Sequence, residues 1–161
     1  MKTLYFIRHA KSSWKHTVGD RDRPLKKQGV KDALQVSKLV AQTIVKPQVI
    51  ITSDALRTQS TATYFKDAFE LKNDAFVVNP ELYDFSGQQV MKLIKELKNT
   101  LDCVMLCGHN HALTSIVNIL GSISINNVPT CGFVAITFEG DKWSEITTGT
   151  TIKTVFPREL K

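Results

Sequence analysis

Four short runs of apolar residues punctuate the chain, at 3–7, 48–52, 75–78 and 102–107. Each is short enough for a strand and rich in β-branched, aromatic or aliphatic residues, so each predicts a buried strand. Between them the apolar period changes to that of a helix. Val30, Ala33, Leu34, Ser37, Val40, Ala41 and Ile44 form one face at i, i+3, i+4 spacing, and Val90, Leu93, Ile94 and Leu97 form another. Residues 55–69 and 112–120 read as two further helices. Strands that alternate with helices predict a mostly parallel central sheet covered on both faces, a three-layer α/β/α fold. Toward the C-terminus, 133–138 and 143–147 flank Glu139-Gly140-Asp141-Lys142, which predicts an antiparallel hairpin at the sheet edge. No repeat, low-complexity tract or Pro/Gly/Ser-rich linker interrupts the pattern, so residues 1–161 are expected to form one domain.

Three of these strands end in chemistry-bearing residues. The first runs Leu4-Tyr5-Phe6-Ile7 into Arg8-His9-Ala10; the second runs Val49-Ile50-Ile51 through Thr52-Ser53-Asp54, read as a Ser/Asp helix cap, to Arg57; the third ends in Gly108-His109-Asn110. One Arg-His pair at a strand end is an ordinary solvated loop. Three such ends differ, because the carboxyl ends of neighbouring parallel strands converge on one crevice. Two imidazoles and two guanidinium groups gathered there would suit phosphoryl transfer. A neutral imidazole is a nucleophile, and guanidinium forks hold the equatorial oxygens. The loop 11–25 is polar and long enough to wall the crevice, and its Trp14 is expected to pack in the core or within the loop.

With these residues in view, the chain resembles the histidine phosphatase superfamily. Arg8-His9-Ala10 corresponds to its Arg-His-Gly signature, and Ser53-Asp54-Ala55-Leu56-Arg57-Thr58 and Gly108-His109 to its later motifs. The pattern Ala10-Lys11-Ser12-Ser13-Trp14, then Asp22-Arg23-Pro24-Leu25 and Gly29, is most similar to the short SixA-type phosphohistidine phosphatases. The resemblance implies a phosphoglycerate mutase-like fold, with His9 as the residue that becomes phosphorylated, Arg8, Arg57 and His109 around the phosphoryl oxygens, and Arg23, Ser53 and Asn110 in substrate binding. It implies a phosphohistidine on a partner protein, such as a histidine phosphotransfer domain, as substrate; small phosphate esters are the rival class. Two departures stand out. Ala10 replaces glycine, which requires an ordinary backbone conformation there. The proton donor is also not marked by its usual motif: Glu81, in Asn79-Pro80-Glu81-Leu82-Tyr83-Asp84, is the first candidate, with Asp84 or Asp22 as alternatives.

Composition narrows the remaining choices. The 161 residues are 42% hydrophobic and 22% charged, within the globular range. Cys103, Cys107 and Cys131 are odd in number and two share one strand face, so they read as buried thiols of a reducing compartment; Cys107 is a minor candidate nucleophile. The apolar start is broken by Arg8, short of an export signal, and no run approaches the ~20 residues of a membrane span, so a cytoplasmic protein is expected. The net charge of +6 invites a nucleic-acid reading. Lys26, Lys27, Lys31 and Lys38 are instead read as solvated helix faces, since no aromatic-basic module accompanies them. His16 and His111 could join a metal site, but no ligand spacing supports one, and neither metal nor cofactor is expected. A phosphate-recognition module without turnover remains the alternative to an enzyme.

Overall fold

The computed structural model describes residues 1–161 and forms six strands and four helices in alternation: β1 (Lys2–Arg8), α1 (Lys27–Thr43), β2 (Val49–Thr52), α2 (Leu56–Ala68), β3 (Phe76–Val78), α3 (Gln88–Lys95), β4 (Cys103–Gly108), α4 (Ala112–Leu120), β5 (Phe133–Phe138) and β6 (Thr150–Val155). The strands build one sheet in the order β3-β2-β4-β1-β5-β6. β3, β2, β4 and β1 pair in parallel, whereas β5 runs antiparallel to β1 and to β6. The expected three-layer arrangement with an antiparallel C-terminal edge is therefore the observed one. Strand alternation sends Leu4, Phe6, Val104 and Leu106 to one face, against Val90, Leu93, Leu113 and Val117 of α3 and α4. Tyr5, Ile7, Met105 and Cys107 face the other side, against Ala33, Val36 and Val40 of α1 and Ala62 and Phe65 of α2.

Three local readings are corrected. The second hairpin strand is Thr150–Val155, not 143–147. Trp143–Glu145 is a single 3₁₀ turn whose indole is fully buried and donates to the Leu101 carbonyl at 2.8 Å, so a core anchor had the look of a strand. On α1, Leu34 is half exposed while Asp32 and Val36 turn inward, which rotates the buried stripe from the one read along the sequence. The cap of α2 is Ala55, which has no side-chain acceptor and makes no capping bond; Ser53 Oγ, two residues earlier, accepts from Ala55 N at 3.3 Å.

The insertion of β4 between β2 and β1 places three carboxyl ends side by side. Arg8 pairs with Gly108 and Thr52 with Cys107 in the ladders, and the ladders run one residue further: His9 N donates to Gly108 O at 3.2 Å and Ser53 N to Cys107 O at 3.1 Å. Ala10 is fully buried and lies outside the left-handed region, so alanine suffices there. Gly29, in the first turn of α1, is required for closeness: a Cβ there would stand 2.2 Å from the Lys11 carbonyl oxygen, which also accepts from Lys26 N at 2.9 Å. This contact fixes the start of the loop that walls the crevice.

Candidate active site

The crevice above β2, β4 and β1 is a cleft of about 640 Å³ bordered by Arg8, His9, Arg23, Arg57, His109 and Asn110, with Lys11, Ser12, Trp14 and Asp20 of the 11–25 loop and Tyr83 and Phe85 opposite. The residues that the three strand ends carry therefore meet, and the loop does form a wall. The His9 and His109 rings lie 5.5 Å apart. His9 is anchored by its Nδ1, 2.8 Å from the Ala10 carbonyl oxygen. A carbonyl only accepts, so Nδ1 carries the proton and Nε2 carries the free lone pair. The strand end beneath it is tied down by Cys131 N, which donates to both Arg8 O and His9 O at 3.0 Å, and by Ala10 N, which donates to Thr61 Oγ1 at 2.9 Å.

Burial sets the charge of the two rings. Desolvation lowers the His9 pKa to about 4; the bond to Ala10 opposes this, and Arg57, Arg8 and Arg23 push it further down. Desolvation likewise takes His109 to about 3, helped by His9 and Arg57. Both rings are thus neutral at pH 7. His109 is oriented from two sides: Ser53 Oγ lies 2.8 Å from its Nε2 and Arg57 Nη2 lies 3.4 Å from its Nδ1. Arg57 can only donate, so Nδ1 accepts and Nε2–H points to Ser53. Tyr83 and Phe85 pack on the same ring at 5.2 and 4.9 Å.

The expected site residues separate into three groups. Arg8, His9, Arg23, Arg57, His109 and Asn110 border the cleft. Ser53 does not; fully buried, it positions His109 and accepts from Ala55 N. Glu81 lies outside, exposed in a 3₁₀ turn over Pro80–Leu82, its carboxylate without a partner. The alternatives fare no better as acids. Asp22 is exposed and does not border the cleft. Asp84 accepts from the N–H groups of Ser86, Gly87, Gln89 and Val90, which caps α3. Burial raises its pKa, but those N–H groups outweigh burial and leave it lowered.

The carboxylate that does border the cleft is Asp20, which the sequence did not single out. Arg57 donates to it twice, Nη1 to its carbonyl at 2.6 Å and Nη2 to Oδ2 at 2.9 Å; Arg23 Nε donates to Oδ1 at 3.1 Å, and the Tyr83 hydroxyl donates to Oδ2. Burial raises the Asp20 pKa, yet the bonds from Tyr83 and Arg57 prevail and hold it at about 2. Trp14 is three-quarters exposed, and its ring carries the Arg23 guanidinium at 3.5 Å, so it packs within the loop and not in the core. Cys107 is buried and desolvation pushes its thiol up to about 12, which leaves no thiolate nucleophile; Cys103 and Cys131 are buried and raised in the same way. His16 and His111 are exposed, and no three His, Cys, Asp or Glu side chains gather as a metal site.

The model of the histidine phosphatase superfamily (branch 1) matches residues 4–88, more than half of the chain. The chain belongs to the histidine phosphatase superfamily. Among curated proteins it is 29% identical over 155 residues to an uncharacterized chloroplastic protein of Arabidopsis thaliana, covering 89% of this chain and 70% of that one. Among solved structures, the protein histidine phosphatase SixA complexed with tungstate superposes with a TM-score of 0.83 at 21% identity, over 99% of both chains. A SixA protein from Agrobacterium tumefaciens gives 0.78 at 24% identity, over 97% of this chain and 99% of that one. These likenesses extend the family's fold over the whole length of this chain, beyond the stretch the family model covers.

Proposed function

We propose that this chain is a SixA-type phosphohistidine phosphatase that needs no metal, acting through a phosphohistidine on His9. The observation that carries the reading is the His9 ring: neutral, its Nδ1–H held by the Ala10 carbonyl, its Nε2 lone pair unspent, in a cleft bordered by three arginines. Nε2 attacks phosphorus as the bond to the leaving group breaks. The Ala10 carbonyl then stabilises the positive charge that the phosphorylated ring acquires. Water attacks in the second step, the bond from phosphorus to His9 breaks, and phosphate leaves. Arg8, Arg23 and Arg57 stabilise charge on the equatorial oxygens, the part a metal ion plays in other phosphatases, and their charge disfavours a cation nearby.

The leaving group is inferred from the acids. Glu81 lies outside the cleft, and Asp20 is ionised in an arginine pair, so no protonated carboxyl stands ready to assist an alkoxide. An imidazole leaving group demands less protonation, which favours a phosphohistidine over an alkyl ester. The partner is then a phosphorylated protein such as a histidine phosphotransfer domain, met in the cytoplasm. The test gives the purified protein, with EDTA present, a phosphohistidine-bearing transfer protein and a panel of small phosphate esters. The expected result is a kcat/KM at least 10-fold higher for the protein substrate, abolished by His9→Ala. Equal slow rates on both classes would remove the substrate assignment; a His9→Ala variant as active as the parent would remove the mechanism.

A further inference from the structure

Two of the three arginines assigned above to the phosphoryl oxygens, Arg23 and Arg57, are already engaged by an anion of the chain's own. Arg57 gives Nη2 and Arg23 gives Nε to the Asp20 carboxylate, to which the Tyr83 hydroxyl also donates, while Arg57 Nη1 donates to the Asp20 backbone carbonyl. The partners differ in freedom. The side chains of Arg57 and Arg23 are 2% and 8% exposed, whereas that of Asp20 is 41% exposed. The arginines are therefore fixed, and the carboxylate is the member that can swing out to water. Arg57 Nε, Arg23 Nη1 and Arg8 Nε are buried without a partner, so donors remain that Asp20 does not satisfy. A carboxylate brings two oxygens and one charge to this site; a phosphoryl group brings three oxygens and up to two charges.

We propose that Asp20 is an internal competitor for the phosphoryl site, a carboxylate that occupies Arg57 and Arg23 in the resting protein and must leave before a phosphorylated substrate can take their N–H groups. The proposal rests on the reading of the cleft as a phosphoryl site. Its effect is selectivity. Anions that offer no more than a carboxylate are refused, while a dianionic phosphoryl group displaces Asp20 and also reaches the donors left unpaired. Tyr83 holds the competitor in place, and the Trp14 ring holds Arg23 against it.

Inorganic phosphate serves as the probe, titrated calorimetrically into the full chain. Asp20→Ala and Asp20→Asn are each expected to bind phosphate at least 5-fold more tightly than the parent, with Tyr83→Phe between them and the parent. The asparagine variant keeps the volume but turns an N–H₂ group toward the guanidinium groups, so it tests the charge if the alanine variant disturbs the loop. Phosphate binding that is unchanged or weaker in both Asp20 variants, and lost in Arg57→Ala, would overturn the competition and leave the phosphoryl site standing. No phosphate binding by the parent or by either variant, with unaltered circular dichroism, would overturn both.

Discussion

His9, Arg57 and Glu81 are all candidates from the sequence, the first two within strand-end motifs and Glu81 outside its usual motif, and burial separates them. Arg57 is 2% exposed and touches both His109 and the cleft; Glu81 is exposed in a turn outside it. Replacing a charge-stabilising donor commonly costs on the order of 10²–10³ in rate, and Arg57→Ala is expected to lose that much in kcat/KM on p-nitrophenyl phosphate. Glu81→Gln is expected to stay within about 2-fold, since a surface carboxylate without a partner contributes little. The Arg-His, Arg and His-containing strand ends were legible because each follows a buried strand. Asp20 was not. It lies in a polar loop among other charges, and only the fold of that loop brings it to Arg57, 37 positions away. Tyr83 and Phe85 escaped for the same reason: their packing on His109 depends on where the turn after β3 lands.

At the level of elements, period predicted type well and orientation less well. Helix α4 was read at its observed bounds, and the first four strands within about a residue. The buried stripe of α1 was misjudged at Leu34 because an amphipathic pattern tolerates a rotation when a polar residue such as Asp32 is satisfied inside, here by Gln28 Nε2 at 2.8 Å. Trp143 was read as strand because a large apolar residue fits either role until its indole finds the Leu101 carbonyl. Gly29 offers an element-scale prediction. Its contact with Lys11 joins α1 to the cleft loop, so Gly29→Ala is expected to cost about 1–3 kcal/mol in urea unfolding, as overpacked sites do, and to lower kcat/KM as the loop shifts. Unchanged turnover with unchanged stability would show that the loop start adjusts freely.

For the molecule as a whole, the burial of two neutral imidazoles couples stability to pH. Their pKa values are about 4 and about 3 in the fold, against about 6.5 unfolded. Between pH 6.5 and 4 the unfolded chain binds more protons than the native one, so stability is greatest above pH 6.5 and falls as pH is lowered through this window. The depressed Asp20 acts in the same direction only below its unfolded value of 3.8, which separates the two effects. The urea midpoint is therefore expected to drop between pH 7 and 4.5, and to drop less in His109→Gln; a flat midpoint would mean the rings are not buried in neutral form. No helix is long and apolar enough to cross a membrane. The amino-acid sequence alone determined the alternation of strands and helices, the parallel sheet, the family and the residues at the strand ends, because periodicity and strand-terminal motifs are local. Tertiary structure alone decided that Ser53 serves His109, that Glu81 faces water and that Asp20 sits on the arginines. Those outcomes depend on how loops distant in the chain cross one crevice, and no local pattern carries that distance.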